Sequence, residues 1–83
     1  MKGKSNIEVR YIPLGQTYDY FVPLHITVGA AIMLIAETLS KKEGVTVQEK
    51  GLILCDVDRK RVLDDSDTLA DAGINDGATL LLV

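Results

Sequence analysis

Residues 67–83 read Asp67-Thr68-Leu69-Ala70-Asp71-Ala72-Gly73-Ile74-Asn75-Asp76-Gly77-Ala78-Thr79-Leu80-Leu81-Leu82-Val83. Thr68 to Gly73 has room for one helical turn. Asn75-Asp76-Gly77 is a strong turn signal, because Asn and Asp bond their own backbone and Gly tolerates positive φ. Ala78 to Val83 then reads as a strand. Successive strand side chains point to opposite faces, so four consecutive apolar residues, Leu80 to Val83, make both faces of this strand apolar.

Working outward, Ile7, Val9 and Tyr11 alternate with Glu8 and Arg10. That period of two marks a strand with one buried face. Pro13-Leu14-Gly15-Gln16 is a turn, and Thr17 to Val22 is a second strand with Tyr18, Tyr20 and Val22 inward. Strands this close should form an antiparallel hairpin. Thr27 has the chemistry of an N-cap, since its hydroxyl can accept from a free amide of the first turn. Val28, Ile32, Ile35 and Leu39 fall on one stripe of a helix from Val28 to about Lys42. Lys41 and Lys42 complement the dipole at its C-terminus, and Gly44 can end it in the left-handed conformation.

Leu52-Ile53-Leu54-Cys55 reads as a third strand, Asp56 to Lys60 as a polar turn and Arg61-Val62-Leu63 as a short fourth strand. The order is thus β-β-α-β-β-turn-β. The one sensible packing lays the helix stripe on one face of the sheet. First and last strands become parallel neighbours, with the helix in the crossover between them. The expected fold class is α+β: a mixed sheet of four to five strands with one helix on one face. The domain is expected to span residues 6–83, behind a disordered tail at residues 1–5.

Composition narrows the function. With 83 residues there is room for one domain, and 47% apolar residues can build a core without metal or disulfides. The single cysteine, Cys55, excludes a stapled secreted scaffold and points to a reducing, cytoplasmic compartment. A net charge of −3 argues against nucleic acid, which requires a broad positive field. Lys2 and Lys4 are followed by no apolar segment of the signal-peptide kind, and the apolar run at 32–36 is far too short to enter a membrane.

No chemistry is legible. His25, in the loop before the helix, and Cys55 read as a solvated loop residue and a small, partly buried hydrophobe. The acids at 56, 58, 64, 65 and 67 invite a calcium reading. Counted from Asp56, though, Lys60 and Arg61 occupy the positions where a calcium loop places an acid and a glycine. Zinc lacks soft ligands and phosphate lacks a glycine-rich loop. The expectation is therefore no catalytic residue, no cofactor, no metal, and a protein that is not an enzyme.

The stretch 67–83 resembles the ending of ubiquitin-like domains, in which Thr-Leu, Asp, Ile, Gly and a final Thr-Leu strand recur in this order. The resemblance implies a ubiquitin-like β-grasp. Within that superfamily, Tyr18-Asp19-Tyr20-Phe21-Val22-Pro23 running into the helix is similar to the bacterial YukD/EsaB-like family. Its members are small cytosolic accessories of type VII (WXG100) secretion systems. What this implies is a non-catalytic adaptor whose protein partner belongs to the secretion machinery. Two alternatives are a small β-grasp subunit of a multicomponent monooxygenase and a modifier without its tail. The sequence stops at Val83 with no Gly-Gly, so conjugation and sulfur carriage are not carried over.

In a β-grasp the last strand is central. Leu80 and Leu82 can lie beneath the helix, while Leu81 and Val83 have none to cover them; Ile53 should point the same way. These three match the positions of ubiquitin's apolar recognition surface, and Leu14 in the hairpin turn could border them. Contiguous apolar patches mark interaction sites. Met33 and Leu34 fall off the core stripe on opposite flanks of the helix and suggest a second contact, a homo-oligomer or a docking partner. The expected protein-binding residues are thus Ile53, Leu81, Val83, Leu14, Met33 and Leu34.

Overall fold

The computed structural model describes residues 4–83. Its elements are β1 (Ser5–Tyr11), β2 (Gln16–Val22), α1 (Val28–Glu43), β3 (Leu54–Asp56), β4 (Arg61–Val62) and β5 (Thr79–Leu82), with a 3-10 turn at Ile12–Leu14 between β1 and β2. The sheet has five strands in the order β2-β1-β5-β3-β4. β1 and β5 are parallel and every other pair is antiparallel. This is an open mixed sheet with one helix, as α+β packing of the sequence pattern requires.

The helix begins where its caps say. Thr27 is extended and its Oγ1 accepts from the Ala30 amide at 3.1 Å. Gly44, at φ 69°, donates its amide to the Ser40 carbonyl. Only glycine adopts that backbone without strain. Val28, Ala31, Ile32, Ile35, Ala36 and Leu39 are the buried helical residues. They join Ile7, Val9, Val22, Leu54, Leu69, Leu80 and Leu82 in one core.

The strand boundaries shift from those the sequence suggests. β1 starts at Ser5, one residue inside the expected tail; residues 1–3 lie outside the described residues. β3 is Leu54–Asp56 instead of Leu52–Cys55. Asp56 is only 4% exposed because its Oδ1 accepts from the amides of Asp58 (3.1 Å) and Arg59 (3.4 Å). A carboxylate that satisfies turn amides can sit at the end of a strand. The turn after it leaves Lys60 in the left-handed region at φ 54°. Leu52 and Ile53 come out of the preceding loop, yet Ile53 exchanges two backbone hydrogen bonds with Val83, at 2.8 and 2.9 Å.

Residues 64–73 strap the helix N-terminus to the sheet. The amides of Val28 and Gly29 donate to Asp67 and Asp65, and those of Leu69 and Ala70 donate back to Ile26 and Leu24. Leu69 and Ala72 of the strap, and Ile74 just after it, are buried.

Candidate functional site

Strand alternation assigns every side chain of the sheet to a face. Leu54, Leu80, Leu82, Ile7, Val9 and Tyr11 are buried in the core that the helix shares, and Asp56 is buried on the same side of the sheet. Their neighbours Cys55, Leu81, Glu8 and Arg10 therefore face away from the helix. Register then lines up a row across all five strands: Val62, Cys55, Leu81, Arg10, Thr17. A second row holds Ile53 beside Val83. A third holds Thr79, Glu8 and Asp19, with the Thr79 hydroxyl donating to the Glu8 carboxylate at 3.3 Å.

This outer face is divided. Its β5-β3-β4 half is apolar: Ile53 and Val83 are each 42% exposed, Val62 is 64% exposed, and Leu81 and Cys55 are half-buried. Its β1-β2 half carries Arg10, Glu8, Thr17 and Asp19. A shallow groove of about 380 Å³ crosses the apolar half, lined by Cys55, Val57, Val62 and Leu81 with Lys60 and Arg61 at its rim. Arg61, next to the outward Val62, turns its guanidinium to the opposite side of the sheet, where it donates to the Ala72 carbonyl.

Residues 7–82 match the family described as "WXG100 protein secretion system (Wss), protein YukD". The chain belongs to the YukD family. No curated protein sequence matches it. Among solved structures, a protein designed de novo on the basis of ubiquitin is similar, with 25% identity and a TM-score of 0.72 over 100% of this chain and 90% of that one. The Caldiarchaeum subterraneum ubiquitin is similar at 23% identity, with a TM-score of 0.73 over 96% of this chain and 91% of that one. The fold is therefore ubiquitin-like, and this YukD-family chain carries its apolar half-face where the helix leaves the sheet bare.

The six residues singled out from the sequence occupy two surfaces. Ile53, Leu81 and Val83 share the outer sheet face. Met33 and Leu34 are exposed on the other side of the molecule, lining a groove of about 530 Å³ between the helix and Val47. Leu14 is exposed in the 3-10 turn, where no strand register ties it to either surface. Sequence reasoning overlooked Val62 and Cys55 as members of the apolar row. Alternation of Val62 with the buried Leu63 was the signal available for Val62.

His25 is exposed in the loop before the helix and Cys55 is half-buried on β3, and no hydrogen bond joins them. Among the described residues, no group of three or more His, Cys, Asp or Glu could hold a metal ion. No described helix is long and apolar enough to cross a membrane.

Proposed function

We propose that this protein is a non-catalytic, cytoplasmic adaptor of a bacterial type VII (WXG100) secretion system that docks a protein of the machinery on its outer sheet face. The single observation that carries the reading is the apolar half-face of Ile53, Val83, Leu81, Cys55 and Val62. One helix covers one side of a sheet, and a central strand that is apolar on both sides leaves the other side to meet another molecule. Family membership supplies the class of partner. Lys60 borders the patch and would orient the docking more than strengthen it.

The test is co-purification from cells that express the secretion locus. The wild-type chain should recover the secretion ATPase, a membrane component or a secreted substrate. The double variant Ile53→Lys, Leu81→Lys should recover none of these while keeping the wild-type circular dichroism spectrum. Equal recovery by both proteins, or recovery of no secretion component by the wild type, would count against the proposal.

The groove beside Met33 and Leu34 supports a second contact, through which copies of the chain associate. Sedimentation equilibrium on wild type and on Met33→Glu, Leu34→Glu tests it; a monomeric wild type at high concentration removes this contact from the reading.

A further inference from the structure

The two edges of the sheet differ in kind. β4 is two residues long and includes Arg61. β2 is seven residues long, pairs one-to-one with β1 from Ser5–Val22 to Tyr11–Gln16, and contains no proline, lysine or arginine. An unbulged, nearly uncharged edge of that length is what proteins usually cover or blunt. Its penultimate residue, Phe21, is 70% exposed.

Backbone parity identifies the free groups. The Glu8 amide donates to Ala78 and the Asn6 carbonyl accepts from Gly77. Asn6, Glu8 and, by alternation, Arg10 therefore turn their backbone groups toward β5. Ile7, Val9 and Tyr11 turn theirs toward β2, where the register sets them against Tyr20, Tyr18 and Gln16. In an antiparallel ladder the residues between such bonded pairs point their amides and carbonyls the other way. Those residues are Thr17, Asp19 and Phe21. None of their outward backbone groups meets a partner among the described residues.

We propose that the β2 edge is a strand-addition site for an extended peptide of another protein, one that carries a lysine or arginine opposite Asp19. The unpaired groups of Thr17, Asp19 and Phe21 specify the backbone form of the occupant, because only an extended strand can bond alternate residues along an edge. Asp19 specifies its charge, being the only ionic side chain on β2. Phe21 specifies an apolar or β-branched neighbour on the outer face. A second copy of this chain is the poorer occupant. The antiparallel register that overlaps two β2 strands completely sets Asp19 against Asp19, and like charges directly opposite are destabilising. This site is independent of the Ile53–Leu81 face, which occupies the other half of the sheet.

The experiment is a titration of the 15N-labelled protein with two acetylated, amidated heptapeptides, Thr-Val-Thr-Lys-Thr-Val-Thr and the same peptide with Glu for Lys. The lysine peptide should slow amide exchange at Thr17, Asp19 and Phe21 and leave Ile53 and Leu81 unmoved. It should bind roughly tenfold tighter than the glutamate peptide at low salt, with the gap narrowing as salt rises. Asp19→Lys should invert that preference. Thr17→Pro removes one outward amide at a position where an edge strand tolerates proline. It should abolish binding with the fold intact, as read from the unchanged spectrum of the remaining residues. No shift up to several millimolar peptide would overturn the proposal. So would equal binding of both peptides, shifts centred on Ile53 and Leu81, or protection of the β2 amides that rises with protein concentration alone.

Discussion

Leu80 and Leu81 are adjacent on the central strand and face opposite sides, so truncating each to alanine separates core from surface within one residue. Leu80 is fully buried. Removing three buried carbons at about 0.8 kcal/mol each loses about 2.4 kcal/mol of transfer free energy. The cavity left under the helix raises the total to about 3–4 kcal/mol. Leu81 is largely buried but opens to solvent, so its truncation loses most of the transfer term and leaves no closed cavity, about 2 kcal/mol in all. A domain of this size is stable by roughly 4–12 kcal/mol. Leu80→Ala therefore removes a larger share of its stability than Leu81→Ala. With a urea slope of about 1 kcal/mol per molar for a small protein, the unfolding midpoint should fall by about 3–4 M for Leu80→Ala and about 2 M for Leu81→Ala. Circular dichroism in urea measures both. Equal losses would refute the reasoning, because they would mean that Leu81 is as enclosed as Leu80 and that the outer face is not free.

Three further predictions follow from side chains off the central strand. The Tyr18 hydroxyl donates to Glu43 at 2.7 Å, with Lys42 over the ring at 5.3 Å; that hydrogen bond, then burial, then the charge of Glu43 push the phenol up to about 12 from an ordinary 10. A pKa raised by folding gives stability that is complete below pH 10 and is lost between pH 10 and about 12. Tyr18→Phe should flatten the fall of the urea midpoint in that window, and an unchanged slope would disprove the link. Asp56→Ala takes the acceptor from two turn amides and should cost about 2 kcal/mol, while Asp56→Asn, which keeps Oδ1, should cost about half as much; equal midpoints for the two variants would contradict this account of the turn. Tyr20 has a buried hydroxyl with no partner among the described residues, and burial raises its pKa. Tyr20→Phe should raise the melting temperature by several degrees, the equivalent of about 1 kcal/mol, and a lowered melting temperature would show that the hydroxyl is bonded in solution.

Much of the fold was legible because its signals are local. Ile7, Val9 and Tyr11 alternate at period two and are buried together. The stripe of Val28, Ile32, Ile35 and Leu39 is the buried face of the helix, closed by Thr27 and Gly44 where those caps stand in the sequence. The third strand was misplaced because Leu52 and Ile53 look like strand residues, whereas Asp56 looks like turn. Whether a carboxylate can end a strand depends on which amides come to it, and those amides belong to a turn not yet formed at the level of sequence.

The candidate surfaces divide along the same line. That Leu80 to Val83 has two apolar faces follows from the residues alone, and so does the outward direction of Ile53, Leu81 and Val83 once one helix is assigned to one side. The β1–β2 hairpin and the parallel β1–β5 pair were legible as well, whereas the places of β3 and β4 beside β5 follow only from long-range pairing. The order β2-β1-β5-β3-β4 brings Val62 and Cys55 into the row of Leu81, and it leaves β2, with Phe21 and three outward-facing backbone positions, at an open edge. Periodicity records which way a side chain points relative to its own chain. It carries no record of the neighbour that a strand acquires or lacks, because that neighbour is set by the closure of loops many residues long.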